Sequence, residues 1–176
     1  MKYVQAGKIS GDSLRLELQK WSNLFWEVYN NNSGTIASQL GARESIRILE
    51  GFDDQKMMTR IREVQQNDML SDLGATYGKT YIANNQGLGP AISYLDSLSQ
   101  MTEATDKVKR IDMEQIKLLY DSARVKMAKE KLAAFKENYP NDKSSADWVE
   151  SMTYDLNYLS RVIQFRHLNS LTTGRR

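Results

Sequence analysis

From Asp112 to Leu168 the apolar residues recur at alternating threes and fours along two faces at once, and only Pro140-Asn141-Asp142 interrupts them. That spacing constrains the fold more than any other feature of the chain, because a strand alternates every second residue and a loop shows no period. The first segment, about residues 112–138, carries Ile116, Tyr120, Ala123, Met127 and Ala134 on one seam. Leu118, Val125, Ala128, Leu132 and Phe135 form its other seam, broken in register only by Asp121. Asp112 is placed to cap this helix, with Gln115 three residues on reaching back as in a capping box. Proline has no amide hydrogen and clashes with the preceding turn, so the helix stops before Pro140. Ser144 or Ser145 opens a second helix over about residues 145–168, with Trp148, Met152, Leu156, Leu159 and Ile163 on one face and Tyr154, Tyr158 and Phe165 on another. The short connection forces the two helices antiparallel. The sequence therefore predicts an all-α fold, a helical bundle with a long antiparallel C-terminal hairpin over about residues 112–138 and 145–168.

A helix with two apolar seams packs on two sides. The hairpin covers one seam of each arm, which leaves Leu118, Val125, Leu132, Tyr154, Tyr158 and Phe165 for the N-terminal helices or for another copy of the protein. Exposing such side chains to water forgoes roughly 1.5 kcal/mol or more for each. Trp26 joins this candidate partner interface, since it projects away from the stripe Leu14, Leu18, Trp21, Phe25 and Val28 of the first helix. A tryptophan off the main stripe is expected to find a second element or a partner, because it buries so much area when it does.

That first helix is expected from about Ser13 to Tyr29, ending where Asn30-Asn31-Asn32-Ser33-Gly34 competes for backbone hydrogen bonds and turns the chain. A second follows from Thr35 to Glu50, and a third, capped by Asp53 or Asp54, presents Met57, Met58, Ile61, Val64 and Met69. Between Gly74 and Pro90 the chain holds Gly74, Gly78, Gly87 and Gly89 with Asn84-Asn85, which reads as a linker or mobile loop. A short helix over about Ala91 to Met101 follows. The expected organisation is an N-terminal helical region over residues 1–73, a glycine-rich connection over 74–90 and a hairpin region over 91–176.

Composition narrows the function mainly by exclusion. With no cysteine the chain has no disulfide, thiolate nucleophile or cysteine-based zinc site. The opening residues hold no apolar stretch of the kind a secretory signal carries, and no run long enough to span a bilayer occurs, so the expected location is the cytoplasm or a particle assembled there. A net charge of +2 does not fit a protein that coats nucleic acid, although Arg161, Arg166, Arg175 and Arg176 make the C-terminal end locally basic.

Catalytic and ligand motifs are equally sparse. His167 has no thiol to pair with and no Gly-x-Ser-x-Gly elbow exists, so it reads as a residue near a helix C-terminus. No Glu-x-x-His or His-Glu-x-x-His occurs to place metal ligands on one helical face. Gly74-Ala75-Thr76-Tyr77-Gly78-Lys79-Thr80 falls one residue short of the phosphate-binding P-loop spacing and follows a helix where that motif requires a strand. No cofactor and no small-molecule substrate are expected. An enzyme of unfamiliar type would most readily use that same stretch, through Tyr77, Lys79 and Tyr81.

The segment Thr35 to Leu49 resembles a helix-turn-helix, with a small residue, Leu40 and Gly41 ahead of a helix bearing Arg43, Ser45 and Arg47, which the resemblance would face to DNA. It departs at Arg47, where the pattern places an aliphatic residue, and one continuous amphipathic helix using Ala42, Ile46 and Leu49 accounts for the same residues. A reader at residues 35–49 followed by an oligomerising hairpin resembles the layout of phage small terminase subunits, which implies a DNA-binding adaptor with Arg161, Arg175 and Arg176 as further contacts. The expectation set first is a non-catalytic structural or assembly protein, a homo-oligomer or a binder of partner proteins, of the kind found in viral or phage particles.

Overall fold

The computed structural model describes residues 11–64, 72–140 and 142–173, without the side chains of 168–173. Met69, Arg175 and Arg176 lie outside the described residues. Within them the fold is all-helical: α1 (Gly11–Asn31), α2 (Ile36–Leu49), α3 (Asp54–Val64), α4 (Lys79–Gln86), α5 (Leu88–Gln100), α6 (Thr105–Asp121), α7 (Val125–Asn138) and α8 (Ala146–Thr173). The chain divides into two compact units, residues 1–111 and 112–176, with the division inside α6 rather than at a glycine-rich connection.

In the first unit α1 and α2 form an antiparallel hairpin. Thr35 caps α2, its hydroxyl accepting from the Ser38 amide at 3.1 Å, and Asp53 caps α3 by accepting from the Lys56 amide at 3.2 Å. The two long helices approach so closely at Gly41 that a Cβ there would stand 2.6 Å from the Phe25 carbonyl oxygen and 3.0 Å from the Tyr29 nitrogen. Ser38 donates to the Tyr29 carbonyl at 2.9 Å and Ser22 to the Ser45 carbonyl at 3.0 Å across the same contact. Small residues thus replace the expected apolar seam. Ser22 is the fully buried residue of α1, whereas Trp21 and Val28 of the stripe are exposed. The core proper is built from Ala42, Ile46, Leu49, Met57, Met58, Ile61 and Val64.

The stretch 74–90, expected as a linker, is instead helical: a π-helical turn at Gly74–Gly78 leads directly into α4. Its glycines serve close approach. A Cβ at Gly74 would lie 2.5 Å from the Tyr94 hydroxyl oxygen, and one at Gly78 would lie 3.0 Å from it, so the two glycines, one turn apart, make room for the Tyr94 ring of α5. Only Gly87, at φ +97, breaks the helix and starts the next.

The second unit holds the expected antiparallel C-terminal hairpin, formed by α7 and α8. Phe135 and Trp148 meet edge to face at 5.6 Å, and Lys136 donates to Thr153 Oγ1 at 3.1 Å. The first arm departs from expectation. Residues 112–138 are not one rod, because Ala123 adopts φ +54 and the Arg124 amide donates to the Leu119 carbonyl at 2.8 Å, ending α6 in a left-handed turn. The chain folds back there, so that Asp112 reaches Tyr139, whose hydroxyl donates to it at 3.2 Å, and Lys131 at 3.9 Å. Asp112 is therefore a mid-helix anchor and not a cap, α6 having begun at Thr105.

Candidate interaction surface

Helix α8 is the longest of the described helices, and its 28 residues span roughly 42 Å at 1.5 Å per residue. Asp142 starts it, accepting from the Ser144 amide at 3.2 Å and from the Ser145 hydroxyl at 2.6 Å across the 3-10 turn Lys143–Ser145. Its partner α7 has 14 residues. Lys136 pairs with Thr153, and Lys129 lines a groove with Asn157. Carried on at that register, Val125 at the start of α7 lies level with about Arg161, and roughly 18 Å of α8 extends past it. Burial agrees. Arg161 and every residue from Ile163 to His167 are exposed, with Val162 alone half-buried among them.

The supported part of α8 buries Met152 and Leu156, and the same face continues to Ile163, which is 42% exposed. On the opposite side Tyr154, Tyr158 and Phe165 form a stripe and are 72%, 63% and 65% exposed. At 100° per residue these three and Arg161 fall within an arc of about 60°. Beside the stripe, near Pro140, a cleft of about 570 Å³ is lined by Phe135, Tyr139, Val149, Glu150 and Tyr154 among others. Tyr139 is pushed up to about 12, by burial first and by the neighbouring Asp112 carboxylate second. Acidic and basic groups are segregated along the helix: Asp147, Glu150 and Asp155 occupy the first half, and Arg161, Arg166 and His167 the second.

Of the residues expected at a partner interface, Tyr154, Tyr158 and Phe165 are thus brought together on one open face. Leu118 and Leu132 are not available, being buried within the chain, and Val125 is half-buried. Trp26 is covered from within as well. Its ring lies 4.7 Å from that of Tyr29 and 4.8 Å from the Arg60 guanidinium of α3.

The structure does not assemble the helix-turn-helix reader. Residues 36–49 are one helix without a turn, and Gly41 sits in it for close packing. Ser45 is fully buried and accepts from Arg60, so it faces the core and not a nucleic acid. Arg43 is clamped by Asp72 through two bonds of 3.0 and 2.9 Å, and Arg110 approaches the same carboxylate at 3.5 Å. Arg47 is exposed but bonds Glu44, one turn away, which raises its pKa. Arg161 is exposed on α8, far in sequence from these three. In the near-P-loop segment Gly74, Ala75, Gly78 and Lys79 are buried and the backbone is helical, so its amides do not form a phosphate cradle.

Two features escaped the sequence reading. Arg60 is buried with its guanidinium held by neutral oxygens: it donates to the Ser22 carbonyl at 3.0 Å, to Asn23 Oδ1 at 2.8 Å, and to the hydroxyls of Ser22 and Ser45. Burial lowers its pKa, with Glu63 and Asp53 opposing. The second is a further open apolar face in the first unit, comprising Trp21, Leu24 and Val28 of α1 and Ile36 and Leu40 of α2. Spacing alone could have found the latter, since Ile36 and Leu40 share a helix face away from Ala42, Ile46 and Leu49. Among the described residues no group of three or more His, Asp or Glu is placed to hold a metal ion, and no helix is long and apolar enough to cross a membrane. Compared with known proteins, the chain matches no family model, no curated protein and no solved structure.

Proposed function

We propose that this chain is a non-catalytic helical assembly protein that associates, with itself or with partner proteins, through α8. The carrying observation is the C-terminal half of that helix, which overhangs its hairpin partner with apolar side chains open on two sides. Helices of a dozen residues are marginal in water unless an apolar face is packed, so a segment of this kind gains its order from company. Three large aromatic side chains in a row supply the anchors, as aromatic residues do at the centres of protein interfaces. A structural subunit of a viral or phage particle, assembled in the cytoplasm, fits this reading.

Light scattering of the full chain at about 5 and 200 µM tests it. Concentration-dependent growth in mass, abolished by Tyr154→Ser with Phe165→Ser, is the expected result. Strictly monomeric behaviour at both concentrations, together with no binding of the stripe to any purified candidate partner, would overturn it.

A further inference from the structure

We infer that the occupant of the α8 stripe is α8 of a second copy, laid antiparallel about a two-fold axis near residues 157 and 158. This rests on the assembly reading above and deepens it by naming the partner and its direction. Two independent observations carry it.

The first is charge. The half of α8 from Asp147 to Asp155 is acidic and the half from Arg161 to His167 is basic. A parallel copy sets like against like along the whole contact, whereas an antiparallel copy sets each acidic half against a basic one. With the axis at the middle of the stripe, Arg161, the basic residue within the stripe's own arc, falls level with Tyr154 of the other copy, where a guanidinium can lie on the ring, and one turn from its Glu150. An unrelated partner would need to reproduce this order of charges; a second copy carries it already.

The second is support. The stretch from Arg161 to His167 is exposed apart from Val162 and runs past the start of α7, and the part near Glu150 is the one braced by α7. Antiparallel pairing lays each unsupported half on the other copy's braced half, and parallel pairing would lay overhang on overhang. At the same register Phe165 comes level with Glu150, beside the cleft of about 570 Å³ that Glu150, Tyr154 and Val149 help to line, which has room for an aromatic ring. The contact is isologous, so it closes at two copies and does not propagate.

Because the chain has no cysteine, single introduced thiols report the geometry without background. In the full-length protein at about 100 µM under mild oxidation, Asn157→Cys is expected to form a disulfide with itself. Glu150→Cys and Gln164→Cys are each expected to stay reduced alone but to join each other when mixed. In parallel, Arg161→Glu and Glu150→Lys should each weaken dimerisation at least about tenfold, and mixing the two variants should recover a mixed dimer. Self-disulfides at both Glu150→Cys and Gln164→Cys, or a stable oligomer indifferent to both charge reversals, would overturn the antiparallel assignment while leaving an assembly protein. A chain that stays monomeric at 200 µM and forms none of these cross-links would overturn both.

Discussion

The α1–α2 seam and the aromatic stripe of α8 are both long helical faces, and they are built by opposite means. Across α1 and α2 the side chains shrink to Gly41, Ser22 and Ser38, so that backbone meets backbone and hydroxyls bond carbonyls directly. Along α8 the side chains grow to Tyr154, Tyr158 and Phe165 and stay largely exposed. A face finished within the chain has no need of bulk, because its neighbour can come close. A face kept open presents area, since area is what an arriving helix can bury.

The sharpest way to break that contrast is to put bulk where the chain uses none. Gly41→Val would drive a side chain into the Phe25 carbonyl and the Tyr29 amide, which cannot rotate away, and should cost about 3 kcal/mol in chemical denaturation of the first unit. The reverse change, Tyr154→Ser on the open face, should leave monomer stability within about 0.5 kcal/mol while lowering the mass seen by light scattering; a loss comparable to that of Gly41→Val would mean the stripe is packed after all.

The next effect is at high pH. Burial raises Tyr94 from 10.0 to about 12, so the folded chain holds that phenol proton more tightly than the unfolded chain does. Its contribution is fully present below pH 10 and is lost as pH rises toward 12. Among the described residues no protein group accepts its hydrogen bond, so Tyr94→Phe should flatten the alkaline decline and also raise stability near neutrality by about 1 kcal/mol. Unchanged alkaline melting in that variant would show that Tyr94 is solvated.

A smaller effect tests the fold-back. An L-residue in the left-handed region carries about 1 kcal/mol of strain, so Ala123→Gly should stabilise the second unit by roughly 0.5 to 1 kcal/mol. Within an unbroken helix the same change would cost about 1 kcal/mol, so the sign decides between a bent and a straight arm. Arg47→Ala, at an exposed residue, should change little in stability or association.

The all-helical class, the start of the second helix near Thr35, the cap at Asp53, and the α7–α8 hairpin were legible because period and capping chemistry are local. So was the open aromatic face of α8, since three large side chains recur on one arc of a helix whose other face is also apolar. The turn at Ala123 was not, because Asp121-Ser122-Ala123-Arg124 holds neither glycine nor proline to mark a left-handed residue. Gly74 and Gly78 misled for a different reason. Glycine marks either backbone freedom or lack of volume, and only the position of Tyr94, sixteen residues from the nearer one, distinguishes the two. Ser45 belongs with them: an arginine fifteen residues on fixes its role, and no local pattern announces such a pairing.

That arginine has a consequence for how the first unit comes apart. Its donors take oxygens from Ser22 and Asn23 on one helix and from Ser45 on another, while Trp26 roofs the guanidinium. With α1 or α2 peeled away, the guanidinium on α3 would stay in a half-dry groove with part of its bonds unmade, a state dearer than the closed trio. Loss of α1 or α2 alone is therefore disfavoured, and slow amide exchange in those two helices should share a single opening free energy.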